Sequence, residues 1–128
     1  MARRQVEEVM SRASRNLALY AQTLEGGRRH TFRCLLTEEE RDYLDAERNK
    51  HGMNRAEFTA MICDRYHNML CPPYRMLARG ECMIGCAIAF DFTAYRVIQS
   101  YADMRCQGVN GYIRQALNAY KERQDAES

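Results

Sequence analysis

Cysteine and histidine are the side chains in this chain with the readiest chemistry, and there are six of the first and three of the second. Cys63 and His67 stand one helical turn apart, and Cys82-x3-Cys86 has the close spacing of a zinc-binding pair. Cys63, His67, Cys71, Cys82 and Cys86 therefore form a candidate zinc set. Structural zinc sites favour two close pairs of that kind, and only one is present. The competing reading is that Cys34, Cys63 and Cys86 fall on apolar faces, where a free thiol acts as a small hydrophobe. On that reading no metal and no cofactor is expected. The histidines, His30, His51 and His67, fall at a strand start, a turn and a helix end, with no nucleophile–base–orienter set. No glycine loop suited to phosphate is present. No catalytic residue is assigned, and an enzyme is not expected. Eight Met and eight Tyr read as core filling and amphipathic surface.

What remains is cationic chemistry, and it is unevenly spread. Residues 1–30 carry six Arg against three Glu, a net of +3, although the whole chain is only +2. The surplus ends in the cluster Arg28-Arg29-His30. Such a cluster suits an anionic partner, and equally suits an ordinary solvated surface. No apolar run approaches the roughly 18 residues of a membrane span. The charged opening MARRQVEEVM lacks the apolar core of a secretory signal, so a cytoplasmic protein with reduced thiols and no membrane insertion is expected.

The elements that must position these residues can be read from periodicity. Val6, Met10, Ala13, Leu17, Tyr20 and Leu24 are spaced 4, 3, 4, 3, 4, which predicts an amphipathic helix over 5–25 within an N-terminal segment 1–27. Its stripe, with Val6, Met10, Leu17 and Leu24, is a candidate partner-binding surface. It would dock on the chain's own core or join two chains as a homo-oligomer. A first unit, 28–70, opens with alternation that puts Phe32, Cys34 and Leu36 on one face and Thr31, Arg33 and Leu35 on the other. Thr37 with Glu40 is a capping box that starts a helix, and Glu38–Glu40 suit the positive end of its dipole. Gly52 marks its stop. Asn54 caps a second helix that buries Phe58, Ile62, Cys63 and Tyr66. Residues 71–85 read as a linker, 86–122 as a second unit and 123–128 as a tail. In the second unit Cys86, Ile88 and Phe90 face inward, Asp91 is a helix cap, and Asn110 is the expected cap of the last helix.

The two units match in chemical class at a shift of 54 residues. Leu36 falls on Phe90, Leu44 on Ile98, Phe58 on Tyr112, Cys63 on Leu117 and Tyr66 on Tyr120. Each unit, carried by Phe32–Glu40 with Gly52–Phe58 and by Ile88–Asp91 with Gly108–Leu117, resembles a ribbon-helix-helix module of the Arc/MetJ type. The resemblance covers about 70 of the 128 residues. It implies a mostly α fold with a two-stranded antiparallel β-ribbon, a pseudo-dimeric tandem ribbon-helix-helix in one chain, plus the N-terminal helix. One such unit is too small to bury a stable core, which is why they come in pairs.

The resemblance also implies a function. The ribbon of this family lies in the major groove of double-stranded DNA, with outward side chains on base edges. By position the readers would be Thr31, Arg33 and Leu35, with Arg33 fitting guanine bidentately. Asn54, Arg55 and Asn110 would meet phosphates at the helix starts, and Arg28 and Arg29 would form a basic arm. The tandem arrangement is similar to TraY-type accessory proteins of plasmid conjugation, which implies a bacterial relaxosome factor or a transcriptional regulator. One departure from the pattern is plain: the matching outward residues of the second strand are Gly85, Ala87 and Ala89. The alternative is thus a protein-interaction module (adaptor, inhibitor or assembly subunit) that kept the fold and lost groove reading.

Overall fold

A computed structural model of the chain describes residues 28–70, 72, 74, 77 and 83–127. The N-terminal stripe residues Val6, Met10, Leu17 and Leu24 lie outside the described residues. The order is β1 (Arg29–Leu36), α1 (Glu38–Lys50), α2 (Arg55–His67), β2 (Ile84–Asp91), α3 (Phe92–Met104) and α4 (Val109–Glu127). The fold is mostly helical, with β1 and β2 forming a two-stranded antiparallel sheet.

Strand alternation decides the layering. Cys34 and Leu36 of β1 and Cys86, Ile88 and Phe90 of β2 are buried, with Phe32 packed at the margin of the same core. The intervening residues Arg29, Thr31, Arg33, Leu35, Ala87 and Ala89 are exposed. The register pairs Arg33 with Ala87, Thr31 with Ala89, Cys34 with Cys86 and Leu35 with Gly85. Arg33 and Ala87 are themselves 54 residues apart.

Three of the four described helices start where a side chain satisfies open N–H groups. Thr37 and Glu40 form the reciprocal capping box at α1, and Asn54 and Glu57 form another at α2. The Asp91 carboxylate accepts from the N–H of Thr93 at 2.9 Å and of Ala94 at 3.4 Å, which starts α3. Asn110 is not the cap of α4. The helix begins at Val109, and the Gly108 carbonyl accepts from Tyr112 N–H at 2.9 Å, so glycine holds the cap position and Asn110 lies in the first turn. Two expected boundaries also move. The second strand begins at Ile84, not Cys86, and α4 runs through to Glu127, well past residue 122.

The two helix–helix turns share one hydrogen-bond pattern at the same shift of 54. Met53 N–H donates to Arg48 O and Gln107 N–H to Ala102 O; Gly52 N–H donates to Asn49 O and Cys106 N–H to Asp103 O. Both turns pass through the left-handed region, at Gly52 (φ 67°) and at Cys106 (φ 55°). Glycine does this without strain, whereas a residue with a Cβ does not.

The core sits under the sheet, where α2 packs against α4. Phe58 meets Tyr120 edge-on at 5.4 Å, and Tyr66 meets Tyr112 edge-on at 5.5 Å. The shift of 54 converts either pair into the other. The Tyr112 hydroxyl donates to Cys63 O at 3.0 Å, so this buried phenol is satisfied.

Candidate nucleic-acid interface

The outer face of the sheet is the place where the predicted base readers come together. Arg29, Thr31, Arg33 and Leu35 project from β1, and Leu35 is 45 % exposed. Neither Arg29 nor Arg33 has a hydrogen-bond or ion-pair partner among the described residues. Several other arginines are paired: Arg55 is bound to Asp45, Arg114 to Glu40 and Arg41 to Asp42. Gly85, Ala87 and Ala89 complete the face from β2 with no side-chain hydrogen-bonding group. The Arg33 guanidinium lies over Gly85.

The two ends of the ribbon differ in charge. At the end where β1 begins and β2 runs into α3, Arg28 stands 4.7 Å above the Phe92 ring and Arg96 lies 5.9 Å from the same ring. The Arg28 carbonyl accepts from Phe92 N–H at 2.8 Å, which fixes the start of β1 against α3. Arg28, Arg29 and Arg96 thus share one end, and the first turn of α3 carries no acid beyond the buried cap Asp91, which stands opposite Arg29 in the ladder. The other end runs into α1, whose first turn is Glu38, Glu39 and Glu40. Sequence reasoning missed Arg96 and Phe92. Their i, i+4 spacing puts them on one helix face, but the approach of Arg28 to that face is a tertiary contact.

Asn54, Arg55 and Asn110, the residues assigned to phosphates, are engaged within the protein. The Asn54 side chain accepts from Glu57 N–H at 2.8 Å, and the Glu57 carboxylate accepts from Asn54 N–H at 2.9 Å. A carboxylate therefore already occupies the start of α2. The Arg55 guanidinium donates to both Asp45 oxygens at 2.9 Å and to Ala87 O at 3.3 Å. These bonds to Arg55, outweighing the cost of partial burial, hold the Asp45 carboxyl below its usual range. Asn110 accepts from Leu35 N–H at 2.7 Å and donates to Leu35 O at 3.1 Å. Arg55 and Asn110 are thus latches, tying the start of α2 to β2 and the start of α4 to β1. The start of α4 stays open: its first turn has no acid, and Gly108 and Gly111 face open space.

Of the candidate zinc set, Cys71 and Cys82 lie outside the described residues. Cys34, Cys63 and Cys86 are buried and free. Burial, reinforced by Cys86, pushes the Cys34 thiol up to about 12, so it stays neutral at physiological pH. Burial likewise raises Cys63 and Cys86. Metal binding needs the thiolate. Among the described residues no group of three or more His, Cys, Asp or Glu is arranged to hold a metal ion. None of their helices is long and apolar enough to cross a membrane.

No protein-family model, curated protein or solved structure matches this chain.

Proposed function

We propose that the protein is a single-chain, pseudo-twofold ribbon-helix-helix DNA-binding protein that docks its ribbon in the major groove of a duplex. The observation that carries this reading is the exposed outer ribbon face, where Arg29 and Arg33 have no partner among the described residues and Arg28 and Arg96 flank one end. A guanidinium without an internal acceptor is a hydrogen-bond donor left for a ligand. The pseudo-twofold reading draws on the recurrence at 54 of the turn hydrogen bonds, on the pairing of Arg33 with Ala87, and on the interchanged aromatic pairs. Phosphate contact belongs to Arg28, Arg29, Arg96 and the open start of α4, with Arg55 and Asn110 acting as latches. The physiological role is that of an accessory factor in conjugative DNA transfer or of a transcriptional regulator, in the cytoplasm of a bacterium.

One observation favours a second reading. The same face carries exposed Leu35 beside Gly85, Ala87 and Ala89, which suits a protein partner and would make the chain an interaction module. Duplex binding measured against salt separates the two. Phosphate binding predicts that log K falls with log salt by about 0.9 for each neutralised charge. Absence of binding at low salt, to random or native-locus duplexes, rejects DNA and favours the module. Loss of affinity in Arg33→Ala locates binding on the ribbon; retention moves it off that face.

A further inference from the structure

β2 offers no outward side chain able to hydrogen-bond a base, yet its outer face is occupied. The Arg33 guanidinium reaches across from β1 and lies against Gly85: a Cβ built there would stand 2.7 Å from Arg33 Cζ and 2.7 Å from Nη2, and nearer still to Nε. Non-bonded heavy atoms settle at about 3.5–4.0 Å, so a Cβ at 85 would push the flexible end of Arg33 out of this position. The backbone gives no other reason for the glycine, because Gly52 is the only glycine among the described residues with positive φ. Glycine within a strand weakens it and marks a close approach. The residue opposite Arg33 in the ladder is Ala87, which also leaves space. Were the two halves alike, a second arginine would stand opposite the first, and like charges there repel.

We infer that Gly85 is a positioning residue for DNA recognition: it lets the Arg33 guanidinium lie over β2, so that one arginine serves the centre of the ribbon and the preferred duplex is non-palindromic, with one dominant guanine contact. This rests on the DNA-binding reading above and adds an asymmetry of the target to it. The bare outer face of β2 then belongs to the reading surface as the floor on which Arg33 rests.

The test is selection from a random duplex library at low salt, followed by affinities of wild type, Gly85→Ala, Arg33→Ala and the double variant for the selected site and its single-base changes. The expected site is non-palindromic, with one guanine whose replacement costs about 5- to 150-fold. Gly85→Ala should remove that preference, as should Arg33→Ala, and adding Gly85→Ala to Arg33→Ala should change nothing further. Relaxation of the Arg33 Nε–Hε resonance in free protein gives a readout independent of DNA: restrained in wild type and averaged in Gly85→Ala. Unchanged relaxation, a full guanine preference in Gly85→Ala, or a palindromic site would overturn the inference. If wild type binds DNA and only Arg33→Ala matters, the role of Gly85 fails and the DNA reading stands. If wild type binds no duplex, the DNA reading itself fails.

Discussion

Glu40 illustrates how much one side chain does in this fold. Its carboxylate accepts from Thr37 N–H at 2.8 Å, from Arg114 Nε at 3.0 Å and from Asn118 at 2.9 Å, which joins α1 to α4. Burial opposes its ionisation, but the bonds from Arg114, Thr37 and Asn118 outweigh that and hold the carboxyl below its usual value. The side chains of the pair are only 9 % and 10 % exposed. Removing Arg114 leaves the Glu40 carboxylate buried without its counter-ion, with Thr37 N–H and Asn118 as its remaining donors. Arg114→Met is therefore expected to lower stability by about 3–5 kcal/mol, measured by denaturant unfolding. Replacing both partners with apolar residues of similar size should cost much less. At the start of α3, the proposed DNA contact makes Arg96→Ala expected to weaken duplex binding about equally across sequences and to reduce the salt slope by about 1.

At the scale of elements, the caps carry the argument. Thr37 and Asn54 each satisfy a helix N–H through a reciprocal box, so Thr37→Ala and Asn54→Ala should each cost about 1 kcal/mol in unfolding experiments. The opposite sign is expected at Cys106. It occupies the left-handed position that Gly52 holds in the other turn, and such a conformation costs a residue with a Cβ about 1–2 kcal/mol. Glycine there loses more chain entropy, so Cys106→Gly should raise stability by about 0.5–1 kcal/mol in the same assay. These elements were legible in the sequence because capping chemistry is local. Thr37 with Glu40, Asn54 and Asp91 all begin helices as their residue types imply. Asn110 was misread as a cap because its type is right for one; the cap lies two residues earlier, at Gly108, and the Asn110 side chain bonds the backbone of Leu35 instead.

For the whole molecule, the ionisable groups set a pH window. Glu40 and Asp45 have lowered carboxyl values in the folded state, so the unfolded chain takes up protons first as pH falls. Their contribution is complete above the unfolded carboxyl range of about 4 and is lost as pH falls through the lower folded values. Cys34 has the opposite sign: its raised value means that the unfolded thiol ionises first, so stability declines as pH rises from 9.0 towards about 12. Thermal unfolding across pH should therefore show a plateau between about pH 5 and 8 with a fall on either side. A flat profile in acid would show that the Glu40 and Asp45 contacts contribute nothing to folding.

Local patterns alone determined alternation and capping: which strand residues face inward, where three of the four described helices begin, and the match of both in chemical class at 54 residues. Those features follow from the period of two in a strand and from hydrogen bonds spanning three residues. Tertiary structure alone decided which side chains stay free. Asn54 and Arg55 look as available in the sequence as Arg29 and Arg33, but Glu57 and Asp45 are folded against the first two, and no acceptor among the described residues is folded against the others. Gly85 reads as a blank until Arg33 is seen lying over it. Availability depends on neighbours up to 82 residues away, as between Glu39 and Lys121, and no local pattern carries that information.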